Sequence, residues 1–257
     1  MARDKKLIVA NWKMNFTVQE ASLFIHKLSS EVKSHRDVEV VLAPTMLALQ
    51  SLSLQVDRRQ FKLASQNLYW RDHGAFTGEV SATQLRGIVD YAIIGHSERR
   101  HVFKENDKEI RNKVQAAVRN GIKPILCVGE TARDRSEGET LDVIHDQLVG
   151  GLANVTSEEL EDVVVAYEPV WAIGTGKNAA PLDAKKAASA IRRQVAHLYG
   201  KAAADNLRIL YGGSVTADSA LSYLKTEGID GLLVGGASLS VPSFAAIAES
   251  AHKLEDE

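Results

Sequence analysis

A single carboxylate followed by an apolar loop is the feature of the sequence with the clearest chemical potential. Glu168 stands directly after the β-branched run 163–167, which predicts a buried strand that ends at the carboxylate. Pro169 fixes φ and removes a backbone donor, so the strand cannot continue. The apolar residues 170–173 then lead into a Gly-rich turn at 174–176. We interpret Glu168 as a candidate general base and the loop as a flap that closes over it.

Two other patterns fit the same segment. A carboxylate at the end of a strand is often a solvated or ion-paired surface acid. Residues 174–179 also match the G-x-G-x-x-A pattern of a dinucleotide-binding turn. That turn should follow its strand directly, whereas five residues separate Glu168 from Gly174, and the acid expected about 20 positions further on is missing. The nucleotide interpretation is therefore the weaker one.

Polar and glycine residues follow four other predicted strands at the point where each strand ends. They are Asn11 and Lys13 after the first strand, His96 and Glu98 after the fourth, Ser214 after the seventh, and Gly235 and Gly236 after the eighth. Glycine-rich turns after two adjacent strands let backbone N–H groups converge on an anion, which predicts a small phosphate site. A base, an imidazole, an amine and a phosphate cradle are the groups needed to move a proton next to a carbonyl in a phosphorylated substrate.

Other chemistries remain as alternatives. Another phosphosugar barrel enzyme, such as an aldolase or an epimerase, would share the phosphate cradle, and a Schiff-base aldolase would need a reactive lysine inside the barrel. A binding protein without catalysis could also keep the glycines. A metal site is not predicted, because the histidines at 96 and 101 lack the spacing of known metal motifs. Ser214 lacks the G-x-S-x-G context of a serine hydrolase.

Eight short aliphatic runs alternate with helical patterns along the chain. The runs are 7–10, 39–43, 61–65, 91–95, 124–128, 163–167, 208–211 and 231–234. Between two pairs of these runs, apolar residues step by three and four, as in an amphipathic helix (Val18, Ala21, Ile25, Leu28 and Val32; Ala184, Ala187, Ile191, Val195 and Leu198). Continuous apolar strands separated by helices predict an α/β fold with a closed, eight-stranded parallel (β/α)8 barrel. An open doubly wound sheet is the alternative fold, and residues 1–257 are predicted to form a single domain.

The composition excludes several classes of partner. The chain has 257 residues and a net charge of −2, without a block of like charges, so we expect neither nucleic acid nor a membrane as a partner. The short apolar run near the start lacks the length of a signal peptide. The single cysteine, Cys127, lies in a predicted buried strand and fits a reducing compartment. We therefore expect a cytoplasmic location.

Five motifs resemble those of the triosephosphate isomerase family, in the order in which that family has them. The motifs are residues 11–15, 95–100, 166–177, 211–215 and 234–239. The resemblance covers essentially the whole chain and implies a TIM barrel without cofactor or metal. It also implies interconversion of dihydroxyacetone phosphate and D-glyceraldehyde 3-phosphate, a step of glycolysis and gluconeogenesis. Ala10, where many members have glycine, is a minor departure from the pattern.

The same resemblance assigns a role to each candidate residue. Glu168 is expected to be the base and His96 the electrophile that polarises the carbonyl. Lys13, with Asn11 beside it, is expected to stabilise the enediolate, and Glu98 to hold Lys13 in place. The backbone N–H groups expected to bind the substrate phosphate belong to Gly174, Ser214, Gly235 and Gly236.

The polar insertion that runs from Gln66 to Ser81 resembles the loop through which the family forms homodimers. Tyr69, Trp70 and Phe76 are large apolar groups within it, which suits insertion into a partner. The resemblance implies that Thr77 reaches the region of Asn11 and Lys13 in a neighbouring chain. A loop that packs only on itself is the alternative.

Overall fold

The chain folds into a closed ring of eight parallel strands in sequence order, as the alternating pattern predicts. The computed structural model describes residues 5–34, 36–173 and 178–254. The strands are β1 (Lys6–Asn11), β2 (Val38–Ala43), β3 (Phe61–Ser65), β4 (Tyr91–Ile94), β5 (Lys123–Val128), β6 (Val164–Tyr167), β7 (Arg208–Tyr211) and β8 (Gly231–Val234). β1 pairs with β8, with Leu7 opposite Gly231 and Ala10 opposite Val234. This pairing closes the barrel and excludes the open sheet.

Helices cover the outside of the ring. They are α1 (Val18–Glu31), α2 (Met46–Ser53), α3 (Ala82–Leu85), α4 (Ser97–His101), α5 (Asp107–Arg119), α6 (Ala132–Glu137), α7 (Thr140–Leu152), α8 (Pro181–Tyr199), α9 (Lys201–Asn206), α10 (Ala217–Leu224) and α11 (Val241–His252). Capping boxes begin α1, α3, α5, α6 and α10. In each of them, a Ser, Thr or Asn at the N-cap exchanges hydrogen bonds with the residue three positions later, which sets where the helix starts. Within the described residues, no helix combines the length and apolarity needed to cross a bilayer.

Alternate residues of each strand pack in two separate cores. The inner core fills the barrel with side chains such as Leu7, Val41, Ile125 and Leu210. The outer core lies between strands and helices and includes Ile8 and the helix residues that face inward. Both faces of each strand are covered, so both alternating sets of residues are apolar. The strand sequences are therefore continuously apolar.

A polar network closes the barrel at the N-terminal ends of the strands. Arg208 donates to Glu39 at 3.0 Å and to the Tyr91 hydroxyl at 2.8 Å, and that hydroxyl donates to Glu39 at 3.0 Å. The charges of Arg208 and Glu39 are therefore paired with each other at this end of the barrel.

Several strand ends differ by a residue or two from the sequence prediction. β1 continues through Asn11, which pairs with Ala43 of β2, so this amide lies in the strand and not after it. β4 ends at Ile94, because Gly95 has a φ of 70°, a left-handed conformation that ends the strand. β6 begins at Val164.

Candidate active site

The sequence-predicted side chains converge on one cavity of about 410 Å³ at the C-terminal ends of the strands. Asn11, Lys13, His96, Glu168, Ser214, Gly235 and Gly236 all line this cavity. Glu98 lies behind Lys13, in contact with it, and lines a neighbouring groove. Gly174, the remaining predicted phosphate ligand, falls outside the described residues. Residues from the first strand to the last are thus brought together by the closed ring.

The end of β6 fixes Glu168 at the edge of the cavity. Its N–H donates to Val128 of β5 at 2.8 Å, and its side chain is 2% exposed. Gly129 makes this approach possible, since a Cβ at that position would lie 1.7 Å from the Glu168 carbonyl oxygen. The carboxylate accepts the Ser97 N–H at 2.9 Å and the Ser97 hydroxyl at 3.4 Å. The carboxylate is therefore held against the N-terminus of α4.

His96 lies directly against this carboxylate, with Nε2 2.9 Å from Oε1 of Glu168. The N–H of Glu98 donates to Nδ1 of the ring at 3.2 Å. Because Nδ1 is occupied as an acceptor, the proton of a neutral ring lies on Nε2 and faces the Glu168 carboxylate. The local turn at the start of α4 thus selects one tautomer of the imidazole.

The two buried groups shift each other's proton affinity. Burial opposes ionisation of Glu168, but the charge and hydrogen bond of His96 and the Ser97 N–H outweigh it and lower the pKa of the carboxyl. Burial also disfavours the imidazolium, whereas the Glu168 carboxylate favours it and raises the pKa of His96. A substrate that separates the two side chains removes the second effect, and burial together with the Glu98 N–H then favours a neutral ring.

Lys13 reaches the cavity from a strained turn. Its φ is 52°, an uncommon conformation for a residue with a side chain. Its N–H donates to Oδ1 of Asn11 at 3.1 Å, and the amide of Gln66 donates to its carbonyl oxygen at 2.8 Å. Its ammonium lies 2.7 Å from Oε1 of Glu98, so backbone and side chain are both held. The sequence indicates Gln66 only as the start of an insertion, since nothing in its local pattern points to a partner 53 positions away.

Glycines form part of the wall of the cavity that Lys13 and His96 also line. A Cβ at Gly212 would approach Cγ of Glu168 at 3.1 Å, and one at Gly213 would lie 2.2 Å from the Tyr211 hydroxyl. Gly235 is close to Lys13, with 3.7 Å between its hypothetical Cβ and Cε of the lysine. Here the side-chain-free backbone lets a small anion approach N–H groups at short range while Lys13 supplies a positive charge. Gly212 and Gly213 therefore leave space in the site because they carry no side chain.

Glu130 anchors the first part of the flap, and the sequence prediction missed it. Its fully buried carboxylate accepts the Tyr167 hydroxyl at 3.1 Å and the Trp171 indole N–H at 2.8 Å. Burial raises the pKa of this carboxyl, although its hydrogen bonds oppose the change. The guanidinium of Arg135 stacks on the Trp171 ring at 4.2 Å. A signal was present, since Glu130 follows the fifth predicted strand as Glu168 follows the sixth.

Comparisons with known proteins agree with this geometry. The family model described as triosephosphate isomerase matches residues 6–251. The chain is 45% identical to the triosephosphate isomerase of Caldanaerobacter subterraneus subsp. tengcongensis over 95% of this chain and 98% of that protein. It is 46% identical to the triosephosphate isomerase of Trichlorobacter lovleyi over 94% of this chain and 96% of that protein. The chain therefore belongs to the triosephosphate isomerase family.

Proposed function

We propose that this chain interconverts dihydroxyacetone phosphate and D-glyceraldehyde 3-phosphate by proton transfer through an enediolate, without a cofactor. The observation that carries the proposal is the meeting of Glu168, His96 and Lys13 at one cavity with a glycine wall. A carboxylate, a neutral N–H donor and an ammonium are the groups that an aldose–ketose proton transfer requires. Membership of the family supports the same reaction.

Glu168 is the base in this proposal. In the described structure it is held by His96 and Ser97, so substrate must displace these contacts before the carboxylate reaches a carbon-bound proton. The His96 and Ser97 contacts lower the pKa of the carboxyl, so it is ionised before substrate binds; once substrate displaces them, burial favours uptake of a proton. Glu168 takes a proton from one carbon, and the electron pair of the broken C–H bond forms the C=C bond of the enediolate. Glu168 then returns the proton to the neighbouring carbon.

His96 is the electrophile. Once substrate displaces the Glu168 carboxylate from Nε2, the proton on that nitrogen can be donated to the carbonyl oxygen on which negative charge develops. As an acid, a neutral imidazole is closer in strength to an enediol than an imidazolium is, so it can move protons between the two oxygens. The triosephosphate isomerase family is itself the standard example of a neutral histidine in this role, and the assignment for His96 follows that example.

Lys13 and the glycine wall hold the charged ends of the substrate. The ammonium of Lys13 lies between the acid of Glu98 and the cavity, where it can stabilise both the phosphate and the enediolate. Asn11 supports the turn that presents it. Ser214, Gly235 and Gly236 donate N–H groups to the phosphate in this proposal, and Gly174 is a proposed fourth donor.

The proposal includes a homodimer formed through the insertion from Gln66 to Ser81. Its support is an apolar surface beside the site, where Met14 is 92% and Phe103 is 64% exposed. These side chains border a groove of about 440 Å³ that also touches Lys13 and Glu98. Within the insertion, Tyr69 stacks on Trp70 at 4.1 Å and packs on Phe76 at 4.7 Å, so part of the aromatic surface is covered by the loop itself. Phe76 remains exposed at the tip.

We also propose that residues 1–257 form one domain and that the protein acts in the cytoplasm, in glycolysis and gluconeogenesis. The support for the location is that the chain has a single cysteine, Cys127, which can form no disulfide within the chain and fits a reducing compartment.

One assay tests the reaction against its rivals. The purified chain should convert each triose phosphate into the other in a coupled assay, and the reaction in heavy water should place deuterium on carbon 2 of the aldehyde product. Cleavage of a ketose bisphosphate without isomerisation would instead indicate an aldolase. The lysine within β3, Lys62, does not favour that rival, since its ammonium lies 3.9 Å from Asp90, which precedes β4 at the opposite barrel end. Phosphosugar binding without turnover would leave a binding protein.

A further inference from the structure

A separate cavity, of about 620 Å³, lies beside Tyr167, which precedes the flap, and beside α8, which follows it. We call it the hinge groove and define it by the residues that line it on α6, α7 and α8: Arg135, Leu141, Leu182, Asp183, Lys186 and Arg193. Its floor reaches Tyr167, the last residue of β6 before the catalytic carboxylate. Its volume is within the range of about 300–1,000 Å³ that small-molecule sites occupy.

The hinge groove combines exposed apolar surface with positive charge. Leu141 is 52% exposed and Leu182 is 60% exposed, so apolar surface in the groove is open to a ligand. Leu182, Lys186, Ser189 and Arg193 follow each other along one face of α8 at helical spacing. In the part of the chain that the structure describes, no carboxylate lies within ion-pair distance of Lys186 or Arg193. The groove thus offers two uncompensated cations above an apolar floor.

Arg135 connects the hinge groove to the flap. Its guanidinium donates to Asp183 in the first turn of α8 at 3.1 Å, and it stacks on Trp171 at 4.2 Å. It also lies 3.7 Å from the Glu130 carboxylate that holds the Trp171 indole. One side chain therefore contacts the loop after β5, the flap and the helix that follows the flap. Because Arg135 is 40% exposed, a ligand in the groove can reach it.

We propose that the hinge groove binds a small amphipathic organic anion, and that this ligand regulates the flap by drawing Arg135 away from Asp183 and Trp171. The apolar body of the ligand lies on Leu141 and Leu182, and its carboxylate, sulfonate or phosphate pairs with Lys186 and Arg193. When Arg135 turns to the bound anion, the flap loses the stacking partner of Trp171, and closure over the active site slows. The regulatory half of this inference rests on the proposed function, because the flap serves that reaction.

The binding test uses anilinonaphthalene sulfonate, an apolar aromatic anion whose fluorescence rises when it is bound. The full chain is titrated beside the double variant Lys186→Gln and Arg193→Gln, which removes both cations without adding an anion, and beside a matched control, Lys27→Gln and Lys33→Gln, which makes the same charge change on the α1 side of the barrel. We expect one site per chain, with an affinity about tenfold lower in the groove variant and unchanged in the control. Equal affinity in all three proteins would overturn the site.

The regulatory test measures isomerisation with the same probe. Without the probe, all three proteins should have the same kcat, since none of the changed residues lines the active site. If none of them turned over substrate, the proposed function would be refuted. The titration would still decide whether the hinge groove binds the probe. With the probe, kcat of the wild type and of the control should fall by at least about twofold even at saturating substrate, and the groove variant should resist. Inhibition that saturating substrate abolishes would place the probe in the active site. Binding without any change in kcat would overturn the regulatory role.

Discussion

At the scale of single residues, activity depends on the position of the Glu168 carboxylate to within about one bond length. Glu168 is fixed on one side by the close approach of Gly129 and on the other by His96 and Ser97. Neither neighbour can follow the carboxylate if its side chain is shortened. A small displacement of a reacting group therefore has a large effect on turnover here.

The variant Glu168→Asp should keep the fold and lower kcat by about 10²-fold, because a misplacement of about 1 Å is enough for such a loss. The coupled isomerisation assay measures it, and circular dichroism checks the fold. Glu137→Asp, an exposed change on α6, is the control and should leave kcat unaltered. Turnover of Glu168→Asp within a factor of about two of the wild type would remove Glu168 as the base.

The variant Lys13→Met should lower kcat/KM by about 10²- to 10³-fold or more, since the ammonium faces charge that grows in the transition state. The lysine stem is replaced by an apolar one of similar length, so the turn held by Asn11 and Gln66 should survive. Lys201→Met, at an exposed position of α9, is the control. A raised KM with an unchanged kcat would limit Lys13 to binding the phosphate.

The buried pair of His96 and Glu168 also predicts how stability depends on acid. The pKa of Glu168 is lowered in the folded protein, so its stabilising contribution is complete above the unfolded-state pKa and is lost as pH falls through the folded value. Below about pH 4.5, the free energy of unfolding of Glu168→Gln should therefore approach that of the wild type. Urea denaturation at several pH values measures the difference, and a difference that grows with acid would contradict the assigned direction.

At the scale of elements, the first part of the flap is anchored outside the candidate active-site cavity. Trp171 bonds to Glu130, which follows β5, and stacks on Arg135 of α6. The anchor therefore belongs to elements that precede the flap in the sequence, with 41 positions between Glu130 and Trp171. Weakening it should change the fate of the intermediate as well as the rate.

The variant Glu130→Gln should release more inorganic phosphate per isomerisation than the wild type. Gln keeps the shape but replaces the charged acceptor of the Trp171 and Tyr167 hydrogen bonds by a weaker neutral one. A flap that closes less firmly lets water reach the enediolate, which then loses phosphate. Phosphate and product are assayed in the same sample, with Glu137→Gln as the control. If turnover falls while the phosphate ratio stays constant, the flap has another role.

The elements were largely predictable from the sequence, and the contacts between them were not. Eight apolar runs and their helical spacers predicted the barrel, because burial on both faces leaves a periodic signal in each strand. Glu168, His96 and Lys13 were found because each directly follows, or nearly follows, a strand. Gln66 and Arg135 were missed because their importance lies in partners that no local pattern reveals. The left-handed turn at Lys13 was equally invisible, since lysine rarely adopts it.

At the scale of the whole molecule, the proposed dimer joins chemistry to assembly. The groove beside the active site touches Lys13 and Glu98, so a partner that fills it would limit the motion of the amine. Each barrel holds a complete set of candidate groups, yet their geometry must be kept within about half an ångström for full activity. Assembly would then affect activity only by holding the candidate catalytic groups in position.

Replacing Phe76, Thr77 and Gly78 by charged residues should yield a monomer with its secondary structure kept and its activity greatly reduced. The charges oppose burial of the exposed tip of the loop in an apolar groove. Sedimentation and the isomerisation assay are run on one sample, and a variant with the same charges at exposed positions of α9 is the control. A fully active monomer would separate assembly from chemistry, and an unchanged dimer would place the interface elsewhere.

The pairing of β1 with β8 also sets the order in which a growing chain can complete its fold. Leu7 finds its partner only when Gly231 has been synthesised, so the first strand leaves the ribosome long before its final neighbour exists. Until then the sheet has two open edges, which are the surfaces on which unfinished chains associate wrongly. The β1–β2 ladder forms early but stays uncovered during synthesis, because the helix that packs on both of its strands is α11, the last helix in the chain.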